Sequence, residues 1–381
     1  MNNNFFSFTR YLRDEGYAAQ LFLFNNEQSH FLPQNDSLDD EWKLYTSWLN
    51  WGDDKSFNDF DTKKVKKEFE PFHFIIGCGS SPAFLRKAGI TIDIFIPYGS
   101  DLYSLPYYNL VKPRNLVTMI KRAYWQKKGI AEARNIFLTP TGGKFEKYVG
   151  QLGFKGRMHR CGVPMLYWKL YYDQKFSEFK HSCNIHQLVT SLKEKGHLVL
   201  VHPCRHNWKN IPAKWSNSGN DILYRAIAKL KEMDPQINIS VITFEYGLDV
   251  KETKKLIGDL KIEESVYWQP RSTRLEIMAA IQASDLVVGE LCDSFLTYGV
   301  VYESMVSRKP IMHSCKKEDF KNEFEEIYPM LFANTVEHVV EHLRKLLANP
   351  SEFEELGIGS YQWFKHYLVD EALKTVEQLT K

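Results

Sequence analysis

The second half of the chain, from His197 to His313, alternates short apolar runs with segments of helical spacing, and this alternation constrains the fold most strongly. The apolar runs are HLVLVHP, INISVITF, ESVYW, DLVVG and PIMH. Runs that are apolar on both faces must be covered on both faces, which favours parallel strands joined by helices. The pattern predicts an α/β fold with a doubly wound sheet, whose ligands bind beyond the carboxyl ends of the strands.

The first half follows the same alternation less regularly. An opening helix (about 3–15) precedes four predicted strands: Tyr17–Phe24, Phe72–Gly77, Thr91–Pro97 and Asn135–Thr139. A polar and aromatic excursion (about 25–70) is too long for a plain connector, and we expect a lid or an acceptor-side insertion there. A second parallel sheet is therefore predicted.

The length of 381 residues exceeds what one hydrophobic core normally supports, so two domains are expected. We place them at 1–170 and 171–360, with the linker near 161–195. No apolar run approaches the roughly 18 residues of a membrane span, and the first residues lack a signal-peptide pattern, so a cytoplasmic protein is expected. The six cysteines lack CxxC spacing, which favours reduced thiols, and the cluster of His181, Cys183 and His186 has irregular spacing for a metal site.

Residues 284–313 have the order of an anion-binding site. The strand after Asp285 leads through a polar loop to Tyr298 and Gly299, and then to a helix that carries Glu303. Free N–H groups of the first helical turn point at a bound anion, and a carboxylate one turn further can accept hydrogen bonds from ribose hydroxyls. An ordinary βαβ unit with a capped helix is the alternative.

The segment from about Leu198 to the end resembles the C-terminal half of the family 4 retaining glycosyltransferases. That family usually has an acidic loop, a Gly, and Glu-Ala-Met followed by Gly-Lys-Pro; this chain has Glu303-Ser304-Met305 and Arg308-Lys309-Pro310. Before residue 198 only the element order and a few loops match. The resemblance implies the GT-B fold, with two Rossmann-like doubly wound domains, an interdomain cleft, and a C-terminal helix (361–381) that returns to the first domain.

The resemblance also implies that the second domain binds a nucleotide-sugar donor, UDP- or GDP-linked, with no separate cofactor and no metal. The residues expected to bind it are Tyr298, Gly299, Glu303, Asp293 and Ser294.

Arg205 and Lys209 follow the strand that ends at His202, where they could stabilise the charge of a departing diphosphate. The family places an Arg and a Lys five residues apart in this loop, whereas here they are four apart, and its following Lys-Gly is Ser218-Gly219. The alternative is a solvated basic loop.

The family's Glu-x7-Glu motif is half present. Eight residues before Glu303 lies Phe295, and neither of its neighbours is acidic. Glu290 and Asp293 in the same loop are the candidates to approach the sugar, and a structural role for Glu290 is equally open.

Two loops of the first half follow predicted strands and are expected to face the acceptor. They contain Gly79, Ser80 and Ser81 in one loop, and Ser100 and Asp101 in the other. Asp101 is expected to orient a sugar or to act as a base, and the serines to donate hydrogen bonds to the acceptor. Tight-turn glycines are the simpler interpretation of the first loop.

Residues 101–160 hold twelve Lys and Arg against three acidic residues, although the whole chain has a net charge of +2. Within the segment 112–134, apolar residues recur at helical spacing with Lys and Arg between them, which is typical of a basic amphipathic helix on anionic lipid. A solvated basic face is the second interpretation. Nucleic acid is not expected, because no recognition motif accompanies the charge.

The resemblance to family 4 implies a metal-independent retaining glycosyltransferase of the hexosyltransferase type, and with these patterns we expect a saccharide or lipid-linked saccharide as acceptor in glycan or polysaccharide biosynthesis. Peripheral contact with the inner face of a membrane is part of this expectation. Two alternatives remain: a sugar-nucleotide 2-epimerase, and a non-catalytic GT-B protein that binds glycan or assists a partner.

Overall fold

The computed structural model describes residues 4–25, 27, 32–53, 56–107, 116–141, 143–211, 217–292 and 294–381. The chain forms two compact units. The first contains Met1–Pro33, Asp39–Met165 and His366–Lys381, and the second contains Gln34–Leu38 and Leu166–Lys365. The segment Gln34–Leu38, which the sequence analysis placed in the first domain, is thus grouped with the second unit.

Helices and strands alternate along most of the described chain. The helices are α1 Asn4–Asp14, α2 Thr62–Phe69, α3 Ser81–Lys87, α4 Ser100–Tyr103, α5 Leu116–Ala131, α6 Lys144–Gln151, α7 Gln174–Ser182, α8 Asn184–Glu194, α9 Asn220–Met233, α10 Val250–Asp259, α11 Arg274–Ala283, α12 Gly299–Val306, α13 Val336–Ala348, α14 Pro350–Trp363 and α15 Glu371–Thr380. The strands are β1 Leu21–Phe24, β2 Thr46–Leu49, β3 Ile76–Gly77, β4 Ile94–Phe95, β5 Asn135–Phe137, β6 Arg157–His159, β7 Leu198–His202, β8 Ile239–Phe244, β9 Val266–Gln269, β10 Leu286–Val288, β11 Ile311–His313 and β12 Leu331–Phe332.

In the first unit, β3, β4, β5 and β6 form a parallel sheet in that order, and β1 pairs with β2 in a separate parallel ladder. The strands predicted at 17–24, 72–77 and 91–97 were too long, since only Leu21–Phe24, Ile76–Gly77 and Ile94–Phe95 form ladders. Strands β2 and β6 were missed. β2 lies inside the predicted excursion, and β6 is a mostly exposed polar edge with no apolar alternation to reveal it.

Helices α3 and α5 pack closely in the first unit because of one glycine. A Cβ atom on Gly129 would lie only 2.2 Å from the backbone oxygen of Pro82, so a larger residue would separate the two helices. Phe84 of α3, Phe95 of β4 and Ile136 of β5 belong to the apolar core of this unit and have no exposed surface.

The C-terminal residues join this first unit. A π-helical segment, Phe364–Asp370, connects α14 to α15. In α15, Ala372 and Val376 pack in one apolar cluster with Phe8 of α1 and Ile94 of β4. The helix expected to return to the first domain is therefore present.

The second unit contains a six-stranded parallel sheet in the order β12-β11-β10-β7-β8-β9. The register places Leu286 opposite Leu200, and Val241 opposite both Leu200 and Val266. All residues of β7, β8 and β10 are buried, as the apolar runs predicted. The five strands and four helices predicted between 197 and 313 are confirmed to within about two residues.

Two further findings concern the described part of the chain. None of its helices is both long enough and apolar enough to cross a membrane. No group of three or more His, Cys, Asp or Glu side chains among the described residues is arranged to hold a metal ion.

Candidate functional site

The strand order of the second unit identifies one place on its sheet. Numbered along the chain from β7, the six strands run 3-2-1-4-5-6, so the order reverses between the adjacent strands β7 and β10. In sheets of this kind, the loops at the carboxyl ends of these two strands diverge and leave a crevice for a ligand. The described residues of the loops at this switch point are 203–211 and 217–219 after β7, and 289–292 and 294–298 after β10.

His202, the last residue of β7, joins three elements at the switch point. Its Nδ1 donates to the carbonyl oxygen of Val288 at 2.8 Å, and its Nε2 lies 2.8 Å from the side-chain nitrogen of Asn220 at the start of α9. Burial lowers the pKa of His202 to about 4, so the ring is neutral near pH 7, with Nδ1 protonated and Nε2 accepting. This residue fixes β7, β10 and α9 to one another.

Gly219 allows the two loops of the switch point to meet. It has a φ of +64°, and a Cβ atom there would lie 3.0 Å from the backbone of Leu291. The N–H of Leu291 donates to the carbonyl oxygen of Ser218 at 2.9 Å. A residue larger than glycine would force the loops apart.

Asp249, which precedes α10, holds the loop after β7. Its Oδ2 accepts the N–H groups of Trp208 and Lys209 at 2.8 Å and of Asn210 at 3.0 Å. Burial raises the pKa of Asp249, but the hydrogen bonds from Lys209, Trp208 and Asn210 outweigh it and hold this pKa below its ordinary value. A charged clamp therefore fixes the backbone of the predicted phosphate-binding loop.

The two cations predicted in this loop have different surroundings. Lys209 is half-exposed and its Nζ lies 2.5 Å from the Glu252 carboxylate on α10. Arg205 is exposed. Its positive charge acts on Glu290 in the loop after β10 and opposes the rise in the pKa of Glu290 that burial causes. Lys209 is thus ion-paired on the α10 side, whereas the charge of Arg205 acts on Glu290.

Glu290 lies largely buried beside the switch point. Burial raises its pKa to about 7, with the Arg205 charge opposing. Its N–H donates to the hydroxyl of Tyr298 at 2.6 Å. A Cβ atom on the preceding Gly289 would lie 2.3 Å from that hydroxyl, so only glycine leaves room for it. A carboxyl group with such a pKa can gain or lose a proton near neutral pH.

Ser294 is held by the end of β11. Its hydroxyl lies 2.9 Å from Nδ1 of His313, and the other ring nitrogen lies 3.0 Å from the hydroxyl of Tyr328. Tyr328 in turn donates to the carbonyl oxygen of Leu296 at 2.6 Å. Burial lowers the pKa of His313 to about 3, so this ring positions the loop as a neutral group. Asp293, predicted beside Ser294, lies outside the described residues.

Helix α12 starts at Gly299 directly after this loop, and the side chain of Tyr298, the residue before it, makes no capping hydrogen bond to its first turn. The N–H groups of that turn have no partner within the helix, which makes its N-terminus a place for an anion. Glu303, one turn further, is 7 % exposed, and its carboxylate lies 3.5 Å from Nε of Arg274. Burial raises the pKa of Glu303, with Arg274 opposing.

Glu290 and Glu303 both act on Cys204, the second residue of the loop after β7. Burial raises the pKa of this thiol, and the charges of Glu290 and Glu303 raise it further. The predicted residues Arg205 and Glu290 lie on the two loops of the switch point, and Glu303 lies on the helix that follows the second loop.

The first unit also brings its predicted loops together. Asp101 is fully buried and accepts the N–H groups of Gly79 at 3.0 Å, Tyr98 at 3.0 Å and Gly99 at 2.9 Å. Burial raises the pKa of Asp101 to about 7, and these amide bonds oppose the rise. Asp101 therefore ties the loop after β3 to the loop after β4.

The remaining predicted acceptor residues lie on these tied loops. Ser80, Ser81 and Ser100 are partly exposed where α3 and α4 begin. The buried side chain of Gln126 on α5 donates to the carbonyl oxygen of Gly79 at 2.8 Å, which adds a third element to the arrangement.

Several residues at these sites were missed by the sequence analysis. Asp249 carried a local signal, because an Asp before a helix is a usual capping residue, but its use by a different loop was not visible. His202, Gln126, Arg274 and Asp36 carried no signal, since each acts through residues far away in the sequence.

Helix α5 presents two different faces. Ala123, Gln126 and Ile130 are buried. Val117 is 64 % exposed and Tyr124 is 58 % exposed, on the opposite side. This outer face also carries exposed and half-exposed lysines at 121, 127 and 128, whereas Arg122, predicted on the basic face, is buried. Residues 112–115 of the predicted basic segment lie outside the described residues.

Solved structures share the architecture at low sequence identity. HepE from Anabaena in complex with UDP-glucose has a TM-score of 0.59 and 14 % identity, with 100 % of this chain and 95 % of that chain covered. Sucrose-phosphate synthase from Thermosynechococcus elongatus has a TM-score of 0.58 and 14 % identity, with 98 % and 90 % covered. Trehalose-6-phosphate synthase OtsA has a TM-score of 0.58 and 12 % identity, with 99 % and 94 % covered.

These similarities show that the chain has the GT-B fold. No protein-family model and no curated protein sequence matches the chain.

Proposed function

We propose that the protein is a glycosyltransferase whose second unit binds a nucleotide-sugar donor at the carboxyl ends of β7 and β10. The observation that carries this proposal is the switch point between β7 and β10, because Arg205 and Glu290 lie on the loops after these strands and the N-terminus of α12, the helix of Glu303, follows the second loop. These groups match the parts of such a ligand: a cation and helix amides for the diphosphate, and carboxylates for hydroxyls. HepE, which shares the fold, has been crystallised with UDP-glucose, which supports a UDP-linked donor.

In the proposed reaction, Arg205 and the first turn of α12 stabilise the charge of the departing diphosphate without a metal ion. Glu303 accepts hydrogen bonds from the ribose. Glu290 faces the transferred sugar, where its pKa of about 7 suits it to proton exchange. Lys209 contributes less, because its ammonium group is ion-paired with Glu252.

The proposed stereochemical outcome is retention of configuration at the sugar. The resemblance to family 4 supports it, and the departing diphosphate would assist attack by the acceptor on the same face of the sugar. The proposed donor sugar is a hexose.

The first unit is proposed to bind a saccharide or lipid-linked saccharide acceptor through Gly79, Ser80, Ser81 and Ser100. Asp101 has no exposed surface and therefore cannot reach an acceptor hydroxyl. We assign Asp101 a positioning role on these loops, in place of the catalytic role that the sequence suggested.

The exposed outer face of α5 favours a lipid-linked acceptor. Exposed Val117 and Tyr124 lie among lysines, and such a face can enter an anionic lipid surface with its apolar side chains while the ammonium groups meet the head groups. We propose peripheral membrane contact through this face, as part of glycan or polysaccharide biosynthesis.

A non-catalytic GT-B protein is the second candidate, because neither Ser294, Phe295 nor Leu296 supplies the first carboxylate of the Glu-x7-Glu motif. Such a protein could bind a nucleotide sugar but would not release its nucleoside diphosphate in the presence of any acceptor.

The test compares wild type with Arg205→Ala and with Arg225→Ala, a matched arginine change on the outer surface of α9. Binding of UDP, GDP and ADP is measured by calorimetry, and release of nucleoside diphosphate from UDP- and GDP-hexoses is measured with saccharide acceptors. Loss of the charged contact should weaken binding of the preferred nucleotide by about 1.5–3 kcal/mol in Arg205→Ala only.

Three outcomes would contradict parts of this proposal. Absence of binding to all three nucleotides by the wild type would reject the donor site. Equal binding by both arginine variants and the wild type would remove Arg205 from it. Binding without release of nucleoside diphosphate would favour the non-catalytic candidate.

A further inference from the structure

Glu303 belongs to a buried group of charges that includes a residue from the distant segment Gln34–Leu38. Arg274, in the first turn of α11, lies 3.5 Å from the Glu303 carboxylate through Nε and 3.4 Å from the Asp36 carboxylate through Nη1. Tyr171 donates its hydroxyl proton to the other oxygen of Asp36 at 2.5 Å. All four residues belong to the second unit.

Arg274 contacts two buried carboxylates. Asp36 has no exposed surface and Glu303 is 7 % exposed, and the guanidinium of Arg274 lies close to both of them. A buried carboxylate is costly unless a cation or hydrogen-bond donors compensate it. Arg274 therefore compensates both buried carboxylates, and a change at any one of these three residues acts on the other two.

The surroundings of Glu303 act on its ionisation in opposite directions. Burial raises the pKa of Glu303; the Arg274 charge lowers it, and the Asp36 charge raises it. Tyr171 contacts Asp36 from the segment before α7, and the charge of Glu303 also acts on Cys204 in the loop after β7. The charges that act on Glu303 itself are those of Arg274 and Asp36.

We infer that Arg274 and Asp36 are positioning residues for Glu303, which hold its carboxylate in place and set its ionisation, so that the segment Gln34–Leu38 is part of the donor site. The assignment to a donor site rests on the proposed function, whereas the control of Glu303 by its two neighbours does not. The segment predicted as a lid or acceptor-side insertion thus contributes a buried side chain to the proposed donor site and not to the acceptor site.

The two neighbours should have opposite effects when they are neutralised. Arg274→Gln removes the cation that favours the ionised carboxylate, so Glu303 should become protonated at a higher pH than in the wild type. Asp36→Asn removes the anion that disfavours it, so Glu303 should stay ionised to a lower pH. A role in packing alone predicts no such opposition.

The first measurement needs no ligand. Protein labelled with carbon-13 at the glutamate carboxyl carbons is titrated by NMR, with Glu303→Gln used to assign the resonance. The midpoint of the Glu303 resonance should rise in Arg274→Gln and fall in Asp36→Asn. Arg271→Gln and Asp40→Asn are the matched controls, because both residues are exposed and lie within four residues of Arg274 and Asp36 in the sequence. Both changes should leave the midpoint of the Glu303 resonance unchanged.

Arg274→Lys serves as the conservative variant, because it keeps the positive charge and should leave the midpoint nearer to the wild-type value. If Arg274→Gln fails to fold, Asp36→Asn and Arg274→Lys still test the inference. An unchanged midpoint in Asp36→Asn, or shifts of the same sign in Asp36→Asn and Arg274→Gln, would overturn it.

The second measurement is binding of UDP, GDP and ADP between pH 5 and pH 8. Arg274→Gln should weaken binding of the preferred nucleotide roughly ten- to a hundredfold at the acid end, with a smaller loss at pH 8. Binding by Asp36→Asn should persist further into acid than that of the wild type. If the NMR shifts appear but the wild type binds none of the three nucleotides, the control of Glu303 stands and the proposed function fails. Nucleotide binding with the same pH profile in all variants would show that Glu303 and its neighbours lie outside the donor site.

Discussion

Replacement of Asp249 by asparagine should loosen the loop that carries Arg205. The Asp249 carboxylate accepts three backbone N–H groups, from Trp208, Lys209 and Asn210, at 2.8–3.0 Å. Hydrogen bonds to a charged acceptor contribute about 1.5–3 kcal/mol each, against about 0.5–1.5 kcal/mol for neutral ones. Asparagine keeps the shape and one oxygen, so a loss of roughly 1 kcal/mol at two or three bonds gives about 2–3 kcal/mol in total.

This loss is local and can be measured by hydrogen exchange. The amides of residues 208–210 should exchange about 30- to 150-fold faster in Asp249→Asn, since 1.36 kcal/mol corresponds to a factor of ten. Asp259→Asn, an exposed change near the end of the same helix, is the matched control. Binding of the preferred nucleoside diphosphate should weaken in Asp249→Asn and not in the control.

The pH dependence of this effect has a definite sign. Hydrogen bonding holds the pKa of Asp249 below its ordinary value of about 3.9, so its stabilising effect is fully present above that value. It is lost as the pH falls through the pKa of the folded state. The difference between wild type and Asp249→Asn should therefore be constant from pH 5 to 8 and should shrink in stronger acid. Unchanged amide protection in Asp249→Asn at pH 7 would show that the Asp249 carboxylate does not hold this loop in place.

Three other predictions concern the donor site and the outer face of α5. Gly289→Ala should impair nucleotide binding, because its Cβ would lie 2.3 Å from the hydroxyl of Tyr298 and displace the loop; calorimetry that gives wild-type affinity would contradict this. Turnover should survive EDTA, because Arg205 and the first turn of α12 are proposed to replace a metal, and strict dependence on added Mn²⁺ or Mg²⁺ would reject that proposal. The protein should co-sediment with anionic vesicles and be released as salt rises, since each lysine contributes only about 1 kcal/mol and is screened over about 8 Å. Changing the lysines at 121, 127 and 128 to glutamine should abolish this binding, whereas the same change at 63, 66 and 67 on α2 should not; equal binding to neutral vesicles would eliminate the membrane contact.

Local pattern was sufficient to predict most of the second unit. Strands β7 and β10 are covered on both faces, so all of their consecutive residues are buried. Runs such as Leu198–His202 and Leu286–Val288 can therefore be recognised from neighbouring residues alone. The order of strands and helices then predicted the doubly wound sheet, and the positions of Arg205, Glu290 and Glu303 followed from the loops after the strands. In the first unit the strands are two to four residues long, and such short elements carry too little periodicity to give correct bounds.

The sequence by itself determined the fold class, the alternation of elements in the second half, and which loops lie at the carboxyl ends of the strands. Tertiary structure alone decided the partners of the charged side chains: Lys209 with Glu252, Asp101 with the amides of two loops, and Glu303 with Arg274. The physical reason is the range of the interactions. Strand and helix patterns arise from neighbours within about one or two turns, whereas the ionisation of a buried carboxylate depends on burial and on charges only a few ångströms away in space, which the chain brings together from any distance along its length.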